Sequence, residues 1–303
     1  MPFTLIRGQF HVAGYSPDGD SIRFKPDNLE LLERLENFPA RVNGRGHVQL
    51  RIEAIDTLET HYSTSGGTLH QPLDVALQAA EALLAFAGIT DVVWNSNRTN
   101  IVSANDGTPG YILSRAVEKC GRPIAFVYAG APDEEDGAEI ILDVGGLAGS
   151  YNRLALADGH AYPTFYNGLF HDLRDDLTLA ARVARQANKG VYSVDATQTG
   201  VDASSLADLT ERSAVLPKLF RRLVDYITET GTVEGFKDAM ELSREPVFAL
   251  RNQNFTHFDS FIDQQSSTVL LTLLPEELVF DEMPERPVGA FAELVAEENE
   301  LVV

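Results

Sequence analysis

The stretch RIEAIDTLETHY, residues 51–62, joins a strand-like pattern to a cluster of polar side chains. Val48, Leu50 and Ile52 alternate with polar residues, which is the period of a half-buried strand. The alternation stops where polar side chains crowd together: Asp56, Thr57, Glu59, Thr60 and His61. The sequence therefore predicts a strand over 47–55, and it leaves open whether this strand ends in a polar turn or in part of an active site.

Patterns on both sides of this stretch predict an α+β domain. Alternating or apolar runs predict strands at 3–14, 20–25, 91–95, 100–104 and 123–129. Apolar residues at three- and four-residue spacing predict helices at 28–37, 72–88, 149–157 and 169–188. Several short strands before a helix, followed by more strands and terminal helices, favour a small barrel of the OB type with helices packed on it.

The C-terminal third predicts a second, smaller α/β unit. Residues 194–205, VDATQTGVDASS, are small and polar, and they predict a linker between domains at 1–193 and 206–303. Beyond the linker, apolar spacing predicts a helix over 216–227 and strands at 268–274 and 277–280. The acidic end, 291–303, predicts a short amphipathic helix or a frayed terminus.

The composition of the 303-residue chain narrows its classes of function. Its 24 Lys and Arg residues stand against 45 Asp and Glu, a net charge of −21, which disfavours non-specific adhesion to nucleic acid. The sequence contains neither a run of 18 apolar residues nor a secretory leader pattern, so we expect a cytoplasmic protein without a membrane partner. The single cysteine, Cys120, excludes an internal disulfide, and we interpret it as a small buried thiol.

Two further segments supply side chains that suit the chemistry of the polar cluster. Asp18 and Asp20 flank Gly19 in a turn between strands, and Arg122 directly precedes an apolar strand. Carboxylates with backbone carbonyls suit a hard cation, and arginines clamp a phosphate by forked hydrogen bonds. One further carboxylate can orient or deprotonate a water molecule. Each piece alone is most simply a turn or a solvated side chain, but together with Arg51 they suit attack of water on a phosphodiester.

The order of these motifs resembles that of the staphylococcal nuclease, or thermonuclease, family. The order is Asp-Gly-Asp, then Arg-x₄-Asp-Thr-x-Glu, then an apolar helix, then Gly-Arg before an apolar strand. The resemblance runs from about Phe10 to Val191, with insertions near 27–46, 105–119 and 131–146. No single motif is specific to the family, whereas the ordered set is.

The resemblance implies a five-stranded OB-fold barrel and a Ca²⁺-dependent nuclease that acts on DNA and RNA. In that family water attacks phosphorus, the 5′ P–O bond breaks and a 3′-phosphate remains; Mg²⁺ or Mn²⁺ would suit the same oxygen ligands. By this resemblance, Asp20, Asp56 and the carbonyl of Thr57 are expected to bind the metal, with Asp18 as a supporting acid. Glu59 is expected to position the attacking water, and Arg51 and Arg122 to hold the phosphate.

This chain departs from the family pattern at a few positions. Leu58 stands where the family usually has proline, and Cys120 stands where a tyrosine usually precedes the second arginine by two residues. Tyr162 and Tyr166 lie near the position at which the family places tyrosines against the substrate, so we predict them as substrate-binding residues. The family's catalytic residue types are all present, which favours an active enzyme.

A second class of function stays open at this point. The net charge of −21 also suits an OB-fold module that binds nucleic acid or protein, with residues 206–303 recruiting a partner or regulating the first domain. These residues are equally able to mediate self-association. A third hypothesis joins the two, because a C-terminal unit that restrains the nuclease would protect the cell that makes it.

Overall fold

The computed structural model describes residues 2–281 of the chain. The acidic end at 291–303, for which a helix or a frayed terminus was predicted, lies outside the described residues. Within 2–281 the fold is a mixed α+β arrangement with a nearly closed, barrel-like sheet and several helices. No helix in this part of the chain is both long and apolar enough to cross a bilayer.

The elements up to residue 193 build the barrel-like sheet and the helices around it. The strands are β1 (Phe3–His11), β2 (Arg23–Pro26), β3 (Glu36–Asn37), β4 (Val48–Gln49), β5 (Arg51–Ile52), β6 (Ile55–Asp56), β7 (Tyr62–Thr64), β8 (Gly67–Leu69), β9 (Thr90–Trp94), β10 (Ile101–Asn105), β11 (Thr108–Val117), β12 (Pro123–Ala129), β13 (Glu139–Ile140), β14 (Tyr162–Pro163) and β15 (Phe165–Tyr166). The helices are α1 (Leu73–Phe86), α2 (Val144–Leu147), α3 (Tyr151–Ala157) and α4 (His171–Gln186), with 3₁₀ turns at Leu29–Arg34 and Gly190–Ser193.

The later elements form smaller sheets and three more helices within the described residues. The strands are β16 (Val201–Asp202), β17 (Pro246–Ala249), β18 (Asn254–His257), β19 (Ile262–Gln265), β20 (Thr268–Leu271) and β21 (Leu278–Phe280). The helices are α5 (Leu206–Glu211), α6 (Pro217–Thr230) and α7 (Phe236–Ser243), with 3₁₀ turns at Phe258–Phe261 and Pro275–Glu277.

The largest sheet runs in the order β4-β2-β1-β11-β12-β5. Its two ends, β4 and β5, are neighbouring segments of the chain on either side of Leu50, so the order nearly returns to its start. Along this order the pairs are antiparallel except for β12 with β5, where Ile124 lies opposite Arg51; off it, β13 pairs antiparallel with β1 and β3 pairs parallel with β11. Large apolar side chains such as Phe10, Phe24 and Phe126 are buried in the associated core.

Two local predictions need correction. Residues 105–119, predicted as an insertion, contain β11, which lies between β1 and β12 in the middle of the largest sheet. Both faces of β11 are covered, since Ile112, Leu113 and Ser114 are all buried, and this removes the alternation that identifies a half-buried strand. The helix predicted over 28–37 is a short 3₁₀ turn, Leu29–Arg34, capped by the side chain of Asn28.

The buried apolar side chains form two clusters. The first follows the barrel-like sheet and α1, α3 and α4, and the second is built mostly from residues after 190. The second cluster also contains Leu58 and Tyr162 from the first part of the chain. Parallel pairing of β15 with β21 and the forked bond from Arg185 to Glu276, at 2.6 and 2.7 Å, tie the two parts together further.

The segment predicted as a linker, 194–205, is packed into this second cluster. Ala196, Thr197 and Val201 are buried, and Asp195 forms a bridge with Ala214. Strand β16 within the segment pairs with β20. Small residues here therefore reflect close packing rather than a solvated connection, because alanine and threonine fit where neighbouring backbones approach each other.

Candidate active site

A tight turn after β5 places the opening stretch at one end of the sheet. The backbone N–H of Glu53 donates to the carbonyl of Ala125 at 2.9 Å, and Ala54 has a left-handed φ of 68°. Asn152, fully buried on α3, donates to the carbonyls of Glu53 at 2.8 Å and Ala125 at 3.1 Å. The turn is therefore fixed from two sides, and β6 after it presents Asp56 opposite Tyr162 of β14.

The Asp-Gly-Asp turn packs directly against this segment. A Cβ added to Gly19 would lie 2.5 Å from the Cβ of Ala79 on α1 and 2.8 Å from Cγ2 of Thr57, so only glycine permits this approach. The backbone N–H of Thr57 donates to Oδ2 of Asp20 at 3.3 Å, and Ser21 donates to Asp18 at 2.5 Å. The sequence prediction that these segments meet is therefore matched by the contacts.

Asp18, Asp20, Asp56 and Glu59 form a group that we name the acid cluster. Burial raises the pKa of Asp20 well above its ordinary value, and the neighbouring charges of Asp18, Asp56 and Glu59 raise it further. Burial likewise raises the pKa of Glu59 to about 7, with Asp18 and Asp56 adding to the rise and Arg221 opposing it. A carboxyl group with a pKa near neutrality is suited to accept a proton from water.

Glu59 is held in place through its backbone. Its N–H donates to the side-chain oxygen of Gln71 at 3.3 Å, and its carbonyl accepts from the N–H of Gln71 at 2.8 Å. Gln71 is itself fully buried and donates to the carbonyl of Val215 at 2.8 Å. This arrangement fixes the end of the polar turn against both parts of the chain.

Arg51 and Arg122, which we name the arginine pair, share a carboxylate that sequence reasoning missed. Oε1 of Glu118 accepts from Nε of Arg122 at 2.8 Å, and Oε2 accepts from Nη2 of Arg122 at 3.3 Å; Nη1 of Arg51 lies 4.0 Å from Oε2. Burial alone would raise the pKa of Glu118, but the two arginines outweigh it and hold the pKa below its ordinary value. Its spacing, four residues before Arg122 across a Gly121 turn, was the available signal.

The second residue that sequence reasoning missed is Arg221 on α6. Its Nη1 and Nη2 donate to the two carboxylate oxygens of Asp56 at 3.1 and 2.8 Å, and Nη1 also donates to Glu59. The fork is largely enclosed, with the Arg221 side chain 24% exposed and that of Asp56 7% exposed. Nothing in the sequence separates Arg221 from Arg222, whose partner is Glu245.

In this arrangement Arg221 competes with any cation for the carboxylate oxygens of Asp56. Carboxylates and the Thr57 carbonyl are the donors a hard cation prefers, but both oxygens of Asp56 already accept from one guanidinium. Among residues 2–281, no group of three His, Cys, Asp or Glu side chains is arranged to hold a metal ion. The predicted Ca²⁺, Mg²⁺ or Mn²⁺ therefore stays a prediction.

The predicted substrate-binding tyrosines lie in different environments. The Tyr166 ring lies beneath the guanidinium of Arg51, 4.3 Å from centroid to Cζ, and its hydroxyl contacts Lys218 at 3.3 Å. Burial would raise the pKa of Tyr166, but Lys218 and Arg51 outweigh it and lower the pKa. Tyr162 is completely buried and donates to Asp195 at 2.8 Å, so no part of its ring faces a substrate.

Cys120 is exposed, and the interpretation of a small buried thiol was wrong. It lies in the turn between β11 and β12, where the N–H of Gly121 donates to the carbonyl of Glu118. This turn directs the Arg122 side chain back toward Glu118 and leaves Cys120 at the surface.

Comparison of the chain with models of known protein families gave no match, and comparison with curated proteins gave none either. The resemblance to the staphylococcal nuclease family therefore remains a prediction. It rests on the order of the motifs in the sequence.

Proposed function

We propose that this protein is a phosphodiester hydrolase that acts on nucleic acid. The observation that carries the proposal is the juxtaposition of the arginine pair, braced by buried Glu118, with an acid cluster in which Glu59 has a pKa of about 7. The two groups adjoin each other, because the backbone N–H of Ile52, next to Arg51, donates to the carbonyl of Asp20 at 3.0 Å. The arginine pair can bind a phosphate, and Glu59 can accept a proton from the attacking water.

The strand order supports the OB-type barrel on which this proposal rests. Counting β4 and β5 as one interrupted strand, five strands follow one another around the sheet, and the closing pair, β12 with β5, is parallel. Arg51 lies in that closing pair, and Arg122 directly precedes its partner strand. The proposed phosphate clamp thus lies where the barrel closes.

The chemistry proceeds by direct attack of water on phosphorus. Glu59 accepts a proton from the attacking water as the new P–O bond forms. Arg51 binds the non-bridging phosphate oxygens. The Tyr166 ring packs against the Arg51 guanidinium and fixes the orientation of the guanidinium plane. Arg122 uses two of its five N–H donors on Glu118, so the rest of its fork can stabilise the oxygen that leaves as the 5′ P–O bond breaks.

A basic and aromatic surface beside the acid cluster suits a single-stranded substrate. The guanidiniums of Arg23 and Arg45 lie 5.0 and 5.3 Å from the Tyr15 ring centroid. Tyr15, Arg23 and His61 line a cleft of about 310 Å³. Burial and neighbouring positive groups, Lys25 and Arg45 among them, lower the pKa of His47 to about 4. Aromatic rings with arginines bind single strands by stacking and charge, despite the net charge of −21.

Cleavage of labelled single-stranded DNA and RNA by the full chain tests the proposal. We expect products with 3′-phosphate ends, and a loss of about 10²-fold or more in rate for Glu59→Gln and for Arg122→Lys. Arg98→Gln is the matched control, because Arg98 pairs with Glu81 at the surface of the β9–β10 hairpin. A Glu59→Gln/Arg122→Lys double variant that cleaves as fast as wild type contradicts the proposal.

The second candidate is an OB-type binding module for nucleic acid or protein. The contact of Arg221 with Asp56 and Glu59 favours it, because an internal ion pair at these acids stabilises structure without requiring a reaction. The same oligonucleotides distinguish the two functions. Binding that Arg23→Gln and Arg45→Gln weaken, with no cleavage by wild type under any added cation or chelator, identifies a binding module.

A further inference from the structure

Arg221 brings the C-terminal part of the chain into the acid cluster. It lies 165 residues from Asp56 and 162 residues from Glu59 in the sequence, yet it donates to both carboxylates. We propose that Arg221 is the resident cation of the candidate site, taking the role that the sequence prediction gave to a divalent metal ion. This inference rests on the proposed function for its catalytic meaning, but its structural content is independent of it.

The position of Arg221 is fixed by the packing of α6. Leu219, Phe220, Leu223 and Val224 on this helix are all fully buried in the second apolar cluster. Withdrawing the helix would expose these apolar side chains to water, which is unfavourable. The backbone of Arg221 is therefore held in place, and the packing of α6 positions its guanidinium beside Asp56 and Glu59.

Contacts beside the site show that the two parts of the chain form it together. Leu58, which departs from the family pattern, is fully buried in the second cluster. It lies between Thr57 and Glu59 in the sequence. Tyr62 of β7 donates to Asp225, one helical turn after Arg221, at 2.8 Å. Leucine at 58 and arginine at 221 thus belong to one interface, which a chain ending at residue 193 would lack.

The geometry of the fork explains why a guanidinium can replace a metal ion here. A divalent cation would need the oxygens of Asp56, and the two nitrogens of Arg221 already match them in a two-point contact. The guanidinium is also more weakly hydrated than a small metal ion, so it enters an enclosed site at lower desolvation cost. Arg221 holds Asp56 and Glu59 in fixed orientations, which is a positioning role.

Calorimetric titration of the full-length protein with CaCl₂, without nucleic acid, tests the inference. The variant is Arg221→Gln, and the matched control is Arg222→Gln, the next residue on α6, whose partner is Glu245. We expect wild type and the control to bind Ca²⁺ weakly, and Arg221→Gln to bind it at least about tenfold more tightly, because Asp56 and Glu59 lose the guanidinium that donates to both of them. Equal Ca²⁺ affinity in wild type and Arg221→Gln overturns the inference.

Two further measurements keep the result decisive if Arg221→Gln fails to fold. A micromolar dissociation constant for Ca²⁺ in wild type alone overturns the inference, whereas millimolar or weaker binding supports it. Arg221→Lys loses the two-point contact but keeps a positive charge beside the carboxylates, so we expect its Ca²⁺ affinity to stay within about tenfold of wild type. Binding more than about tenfold tighter than wild type in this variant contradicts the inference.

Nucleic-acid cleavage separates this inference from the proposed function. If wild type cleaves in the presence of chelator and Arg221→Gln cleaves only with added Ca²⁺, both are supported. If no variant cleaves but Arg221→Gln gains Ca²⁺ affinity, the proposed function fails and the inference stands. If wild type cleaves only with Ca²⁺ and binds it tightly, the function stands and the inference fails.

Discussion

The arginine pair and the acid cluster have opposite charge arrangements. In the first, two guanidiniums face the single buried carboxylate of Glu118; in the second, the single guanidinium of Arg221 pairs with Asp56 and Glu59, two of the four carboxylates. In both clusters the one residue of opposite charge stabilises the others, since an ion is costly to bury without a partner. Each cluster therefore depends on one residue that lies outside the motifs first recognised in the sequence.

The two clusters differ in how far apart their parts lie in the chain. Glu118 and Arg122 are separated by four residues, so one turn brings them together, and Arg51 arrives through strand pairing with Ile124. Arg221 reaches Asp56 only when the second apolar cluster forms around α6. The arginine pair is thus a local product of the barrel-like sheet, whereas the acid cluster requires the packing of the whole described chain.

Glu118→Gln tests the arginine pair most directly. Glu118 is 5% exposed, and the substitution removes the negative charge that pairs with Arg122 and Arg51, whose side chains are 37% and 23% exposed. We expect the free energy of unfolding to fall by about 3 kcal/mol, measured by urea denaturation. Glu81→Gln is the control, because its partner Arg98 is exposed and such pairs contribute under about 1 kcal/mol. Equal losses in the two variants would show that Glu118 is not a buried brace.

Gly19→Ala tests the packing that positions the acid cluster. The new methyl group would lie 2.5 Å from Ala79 and 2.8 Å from Thr57, so α1 or the polar turn must shift. We expect a loss of about 2 kcal/mol in thermal or urea unfolding. Gly44→Ala is the control, because a methyl group there meets nothing within 4 Å. A Gly19→Ala protein as stable as the control would mean that this approach is not close in solution.

The same comparison explains what the sequence could and could not predict. Arg51, Asp56 and Glu59 lie within one short stretch, and Asp18, Asp20 and Arg122 adjoin strands, so spacing alone indicated a shared site. Strand β11 was missed because it is covered on both faces and contains Pro109 and Gly110, which are typical of turns. Arg221 was missed because an amphipathic pattern shows which face of α6 is buried and not which distant carboxylate its polar face meets.

The pKa of Glu59 provides a test that follows the acid cluster alone. Because a general base must be deprotonated, we expect the cleavage rate to fall about tenfold per pH unit below about 7 and to level off above it. Carboxyl NMR of Glu59 should give the same midpoint. Since burial raises this pKa above its unfolded value, the folded state also loses stability as pH rises from about 4.5 to about 7. A midpoint near 4.5 would contradict an enclosed acid cluster.

Tyr62→Phe tests whether the second part of the chain controls the acid cluster through α6. The variant loses the bond from the Tyr62 hydroxyl to Asp225 at 2.8 Å, which joins β7 to α6 one turn beyond Arg221. We expect a loss of about 1 kcal/mol in unfolding free energy. The Glu59 pKa should rise as Arg221 is held less firmly, because Arg221 lowers this pKa. Tyr226→Phe is the control, since its hydroxyl bonds to Glu234 within the second part of the chain. If the two variants change the Glu59 pKa equally, the bond from Tyr62 to α6 does not control the acid cluster through Arg221. The acid cluster would then depend on its own part of the chain alone, as the arginine pair does.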